Sequence, residues 1–293
     1  MNLISLMSLM SLINLPKIIK AKISAETANT PENLTPIFVD STLFSISNLS
    51  INTLSNHQRN LAAHLSFEVQ SGERWVILGA NGCGKSSVLH ACAGLPLAGR
   101  QADYDFIHLI NHTYTPNTAN IKDLAKLRSY CPQRLDWSGH LTILQLISLL
   151  NINTSTGSNY FLNNLPRFWL SQPISQRSGG EQQRIALSLT LAQQAHLVFL
   201  DEPLNHLDEV QQLQHLEILK QSGKTFVMVS HHIKLSLNFS THVLMPSSID
   251  LMGNQQWIAG TCRDIVNVNN LAAAYNIDTV LATQLLKGTE YNN

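Results

Sequence analysis

Residues 79–86 read Gly-Ala-Asn-Gly-Cys-Gly-Lys-Ser, a G-x-x-x-x-G-K-S string whose chemistry is phosphate binding. Glycines let the backbone turn tightly and aim its N–H groups at phosphate oxygens, where a Cβ would intrude. Lys85 would reach the β- and γ-phosphates of a nucleoside triphosphate, and the Ser86 hydroxyl would ligate Mg²⁺. Gly79, Ala80, Asn81, Gly82, Cys83, Gly84 and Ser87 complete the cradle. An exposed Cys83 thiol there would make nucleotide binding sensitive to oxidation. A second constellation is Asp201-Glu202-Pro203, at the end of an apolar run. Asp201 is expected to complete the metal site, while Glu202, one residue on, points differently and would polarise the water that attacks the γ-phosphate. A third is Ser178-Gly179-Gly180, a serine cap and two glycines before an Ala/Leu-rich helix, which is a second anion nest.

These groups need a scaffold. Residues 74–78 (RWVIL) and 196–200 (HLVFL) are short bulky apolar runs, the pattern of buried strands. Residues 87–93 read as the helix behind the first loop, and its positive N-terminal end adds to the phosphate site. Pro203 cannot continue a strand ladder and sends the chain into a loop. A further strand, 226–229 (FVMV), leads to Ser230 and His231. Residues 141–150 (LTILQLISLL) predict a buried helix, and 151–159 (NINTSTGSN) a polar loop.

Composition narrows the partners. Charged residues are 13% of the 293, and 19 basic residues balance 19 acidic ones. Zero net charge argues against a broad electrostatic grip on nucleic acid or anionic lipid. The four cysteines contain no C-x-x-C pair, which excludes a zinc ribbon or disulfide scaffold on spacing and fits a reducing compartment. Residues 1–40 differ from the rest: a Ser- and Asn-interrupted apolar stretch precedes Lys17, Lys20 and Lys22, the reverse of a secretory signal. They are expected to be a dispensable, disordered leader.

The order of the motifs resembles the ATP-binding subunits of ABC transporters, whose signature LSGGQ or LSGGE is matched by Ser178-Gly179-Gly180-Glu181 with Arg177 in place of the leucine. The resemblance covers roughly residues 42 to 262. It implies an α/β P-loop NTPase with a mostly parallel core sheet, an antiparallel β subdomain from residue 42 to 69, and a helical subdomain over about 135–178 within a domain of 41–262. Residues 263–293 would form the C-terminal tail of that domain. By the same resemblance Gln133 is the Q-loop glutamine that senses Mg²⁺ and couples to membrane subunits, and Asp208 sits at a dimer seam. His231 is the switch histidine on the γ-phosphate, followed here by His232 where the family usually has aspartate. The adenine-stacking aromatic is replaced near Asn56 and His57. Two copies would sandwich two ATP molecules head to tail, so that Ser178, Gly179 and Gly180 contact the γ-phosphate held by the partner's Lys85.

The main expectation is therefore a transport motor using ATP and Mg²⁺. Its partners would be a second copy of itself, two transmembrane permease subunits and, indirectly, a periplasmic binding protein. It would lie on the cytoplasmic face of the inner membrane, with no nucleic-acid partner. The tail Asn270-Leu271-Ala272-Ala273-Ala274-Tyr275-Asn276-Ile277 and the short interval from Gln133 to Ser178 resemble importers of vitamin B12, ferric siderophores and haem. Vitamin B12 is the first expectation for cargo, with siderophore or haem as the alternative. The rivals are a soluble ABC ATPase acting on DNA or ribosomes and an exporter subunit. The former usually carries two fused nucleotide domains or a long coiled-coil insertion, neither of which is present.

Overall fold

The computed structural model describes residues 42–54, 59–115, 127–133, 137, 140–152, 159–163, 165–289 and 291. The expected leader, the Asn56–His57 site and most of the 151–159 loop lie outside these residues.

Two sheets organise the chain. The first is antiparallel: β1 (Thr42–Thr53) and β2 (Asn60–Gln70) pair along their length, and β4 (Arg100–Asp103), β5 (Phe106–Leu109) and β6 (His112–Tyr114) extend the layer. The sequence of β2 explains its place, since Leu65, Phe67 and Val69 are buried while His64, Ser66 and Glu68 face solvent. That is the period-2 pattern of a sheet with one dry face.

The second sheet has the order β11-β10-β3-β9-β8-β7. Its strands are β3 (Arg74–Ile77), β7 (Arg128–Cys131), β8 (Leu197–Asp201), β9 (Thr225–Val229), β10 (His242–Ile249) and β11 (Gln255–Thr261). All neighbours are parallel except β10 with β11. Every residue of β8 and β9 is buried, as continuous apolar runs in a two-faced parallel sheet must be. Alternate residues serve different cores. Trp75, Ile77, Phe199 and Val227 pack toward β1, β2 and the helix α1 (Lys85–Cys92), where Phe44 meets Phe199 edge-on at 5.8 Å. Val76, Val198, Leu200 and Met228 pack on the opposite side.

That opposite side is covered by helices: α4 (Gly179–Ala192), α5 (Glu209–Gln221), α6 (Ile233–Phe239), α7 (Cys262–Ile265), α8 (Val268–Tyr275) and α9 (Thr279–Leu286). Between β7 and α4 lie α2 (Ile143–Leu149), α3 (Asn159–Asn163) and two 3₁₀ turns, with a small core of their own around Ile143, Leu146, Trp169, Ile174 and Ile185. Within α2 only Ile143 and Leu146 are buried, and Leu144 is 51% exposed. The buried helix expected over 141–150 is thus shorter and half-exposed. Apolar density did not reveal that one face of a 3.6-residue repeat lacks a covering layer. Among the described residues no helix is long and apolar enough to cross a membrane.

Candidate nucleotide site

The first phosphate loop follows β3, the strand between β9 and β10. Leu78 donates its N–H to the Leu244 carbonyl at 3.0 Å, and Ala80 donates to the Ala274 carbonyl at the end of α8, also at 3.0 Å. Gly79 has φ +142°, and a Cβ there would lie 2.9 Å from two ring carbons of Pro246. Gly84, at φ +111°, caps α1 and would press a Cβ to 3.1 Å from that of Leu61. These two glycines answer to both conformation and space.

Lys85 is buried, and its Nζ donates to the carbonyls of Gly79 at 2.8 Å and Ala80 at 3.0 Å. Burial lowers its pKa, while Cys83, Glu202 and Asp201 pull it back up. Cys83 is itself only 7% exposed, with burial pushing its thiol up against the opposing pull of Lys85. The condition for oxidation sensitivity, an exposed thiol, is not met: the loop folds Cys83 inward toward Gly79. A raised pKa reduces the thiolate that oxidants attack.

Asp201 ends β8 and is 4% exposed. The Ser86 hydroxyl donates to its Oδ1 at 3.0 Å, so two of the three expected metal residues, 115 positions apart, are adjacent. Two hard oxygens side by side, one anionic, form a donor set that suits Mg²⁺, which takes few protein ligands beside phosphate and water. On the other oxygen, His90 Nε2 stands 3.4 Å from Asp201 Oδ2 and 2.8 Å from the Tyr130 hydroxyl.

Glu202 adopts φ +50°, a left-handed conformation that turns its side chain away from the line of β8. Such a conformation costs roughly 1–2 kcal/mol outside glycine. It is offset by anchoring: the Glu202 N–H donates to Val229 at 3.1 Å, and its carbonyl accepts from the Asn205 N–H at 3.2 Å. The carboxylate contacts three side chains: Oε2 accepts from Gln133 and from Asn205, and Oε1 meets His231 Nε2. Gln133, Glu202 and His231, predicted from three separate motifs, thus form one cluster. Gln133 is bonded to Glu202 in this structure, rather than to the Ser86–Asp201 pair. His232 donates its N–H to Ser230 Oγ at 3.1 Å, and its ring approaches Gln212 at 3.5 Å.

A cleft of about 300 Å³ joins residues of the phosphate loop to Glu202 and His231, with Arg100 on its wall. A larger hollow of about 490 Å³ lies between α4 and α5 near Trp169, away from these groups.

Ser178 caps α4 through a reciprocal box: its hydroxyl accepts from the Glu181 N–H at 3.4 Å, and Glu181 Oε2 accepts from the Ser178 N–H at 2.8 Å. The helix begins at Gly179, six residues before the apolar run at Ile185 suggests. Gly180 approaches the turn after β8, where a Cβ would stand 3.6 Å from the His206 carbonyl. Asp208 caps α5 by accepting the Gln211 N–H at 2.8 Å. Sequence reasoning gave no role to Asn205, Arg100 or His90. Asn205 carried a usable signal, three residues past an acid at a strand end, where a turn returns the side chain. His90 carried one as well, since it lies one helical turn past Ser86 on α1, whereas Arg100 carried none.

The chain is similar to known ATP-binding proteins. Residues 62–205 match the family described as ABC transporter. The achromobactin transport ATP-binding protein CbrD of Dickeya dadantii is 28% identical over 66% of this chain and 75% of that protein. The iron(3+)-hydroxamate import ATP-binding protein FhuC of Bacillus subtilis is 26% identical over 80% of this chain and 91% of that one. Among solved structures, the dimeric ATP-binding cassette MJ0796 in a post-hydrolysis state with ADP and Pi has a TM-score of 0.57 at 21% identity, covering 69% of this chain and 93% of that one. The two sheets and the phosphate loop have one common explanation: over residues 62–205 the chain belongs to the ABC transporter ATPases, which bind and hydrolyse ATP.

Proposed function

We propose that this chain is the ATP-hydrolysing subunit of an importer for an iron chelate of the siderophore or haem class. The observation that carries the hydrolytic part is the convergence of Lys85, the Ser86–Asp201 pair and the Glu202–His231 contact on one cleft. The achromobactin and iron(3+)-hydroxamate names of the two relatives support the iron-chelate cargo, rather than the vitamin B12 expectation.

The backbone N–H groups of residues 80–86 and the positive end of α1 hold the phosphates, with the buried charge of Lys85 on the β/γ end. Ser86 and Asp201 hold Mg²⁺, which when bound neutralises charge on the phosphate oxygens. Glu202 accepts a hydrogen bond from the attacking water, and Gln133, Asn205 and His231 fix its carboxylate. Ser178, Gly179 and Gly180 complete the site on a second copy, and Asp208 lies at that seam. Closing and reopening the pair drives two permease subunits, with a periplasmic binding protein delivering cargo to them. The chain then sits peripherally on the cytoplasmic face of the inner membrane, with no nucleic-acid partner.

Two measurements test the reading. Lys85→Ala should lose high-affinity MgATP binding, since a charge-assisted contact contributes on the order of 1.5–3 kcal/mol. Normal ATP affinity in the folded variant would refute the nucleotide assignment. Cells lacking the chain should lose growth on ferric siderophore or haem as the scarce iron source and keep growth that depends on scarce cobalamin; the reverse pattern would return the cargo to vitamin B12.

A further inference from the structure

Arg177 stands directly before the serine that caps α4, and its side chain is anchored. The guanidinium carbon lies 5.7 Å from the centre of the Trp169 ring, and Nη2 donates to Gln172 Oε1. The backbone is held as well: the Arg177 N–H donates to Ile174 at 3.0 Å, and its carbonyl accepts from Gln182 Nε2 at 2.9 Å. Trp169 belongs to the core of the helical layer, and Arg184 of α4 reaches the same ring at 6.0 Å. Residue 177 is therefore tied to the preceding 3₁₀ turn, to α4 and to the helical layer. Ser178 and Gly179 themselves are exposed. A leucine here would contribute contact area alone. A guanidinium on an indole adds a planar, oriented attraction and a fork of donors.

We propose that Arg177 is a positioning residue: with Trp169 it forms a clamp that holds the Ser178–Gly180 turn in the geometry required by the nucleotide on a second copy. The proposal rests on the trans role of Ser178 given above. The clamp touches none of the groups that hold ATP on its own chain. Arg177→Leu should therefore leave the ATP affinity of a single chain unchanged while weakening ATP-driven pairing. A cation–π contact of this kind corresponds to roughly threefold to thirtyfold per seam. A two-fold pair has two identical seams, so its dissociation constant should rise about tenfold to a thousandfold.

The test uses the full chain. Arg177→Leu, Arg177→Lys, Trp169→Phe, Trp169→Leu and the double leucine variant are placed in a Glu202→Gln background. MgATP-driven pairing is measured by sedimentation, and single-chain ATP binding by a fluorescent nucleotide. In the wild-type background, turnover should fall at least tenfold for Arg177→Leu, with little change in KM for ATP. Each leucine variant should weaken pairing, the double should be no worse than the weaker single, and Arg177→Lys should recover part of the loss. Trp169→Phe, which keeps an aromatic ring in the core, guards against a Trp169→Leu chain that does not fold. Unchanged pairing and turnover in Arg177→Leu, or fully additive losses in the double, would overturn the clamp. Ser178→Arg separates the two levels. If it blocks pairing while Arg177→Leu does not, the clamp alone fails; if neither matters, the trans reading fails.

Discussion

Exchanging Glu202 for glutamine removes one charge from the centre of the cleft and nothing from its shape. The amide oxygen takes the place of Oε2 and keeps the donors of Gln133 and Asn205. The amide NH₂ then faces His231 Nε2, which accepts it when the ring carries its proton on Nδ1. All three contacts survive as neutral bonds. A bond to a charged group is worth about 1.5–3 kcal/mol and a neutral one about 0.5–1.5, so the gross loss is roughly 1 kcal/mol per contact. Relief of a buried carboxylate offsets part of this, which leaves a net cost of about 0–2 kcal/mol. For a chain of this size that shifts Tm by roughly 2–4 °C per kcal/mol. Hydrolysis should respond far more strongly, falling about 10²–10⁴-fold, the usual contribution of a positioned general base. The assay pairs steady-state phosphate release at saturating MgATP with a thermal melt. A variant that melts within a few degrees of the wild type yet keeps turnover within about threefold of it refutes the role given to Glu202.

Three other perturbations follow from the packing. Gly79→Ala should destabilise the chain by about 2–4 kcal/mol, because overpacking against the Pro246 ring adds to left-handed strain; Gly82→Ala, at φ +76° with nothing within 4 Å, should cost only about 1–2 kcal/mol in the same urea titration. Arg128→Met should leave Tm equal or higher, since burial holds that guanidinium down to about 10 and two of its nitrogens find no partner among the described residues; a clear drop in Tm would show that its bond to the Ala93 carbonyl outweighs the buried charge. Burial also lowers Lys224 to about 8 from 10.5, so its penalty is full below pH 8 and fades as the pH rises toward 10.5. Comparing urea midpoints of wild type and Lys224→Met at pH 7.5 and 9.5 should show an additional rise in the wild type, of at most about 1.4 kcal/mol per pH unit.

The phosphate loop was legible because its chemistry is contiguous: eight neighbouring residues carry both the turn and the ligands. The buried strands were legible as apolar runs, and β2 as an alternation. What the string conceals is which strands become neighbours. Ser86 meets Asp201, and Gln133 meets Glu202, only because β7, β8, β9 and β3 lie side by side. His90 follows by helix spacing, four residues past Ser86, once Ser86 is known to face Asp201. The packing of Arg177 on Trp169 was equally hidden, since aromatic and cation are eight positions apart across two 3₁₀ turns. In α2 the apolar density was read correctly, but its exposed face depends on what the helical layer leaves uncovered.

The strand that carries the phosphate loop has both of its sheet neighbours far downstream, β9 from Thr225 and β10 from His242. On a ribosome adding roughly 5–20 residues per second, β3 waits on the order of ten to thirty seconds before either edge can be covered. Throughout that interval a short strand with the apolar run Trp75, Val76 and Ile77 has two open edges, the situation that invites pairing with another nascent chain. The final tie is later still, because the carbonyl that receives the Ala80 N–H belongs to Ala274. Biogenesis of the nucleotide site is thus posttranslational in effect. A stop codon between His231 and Ala274 would yield chains that contain every phosphate-binding residue but lack the carbonyl that ties Ala80 of the loop in place.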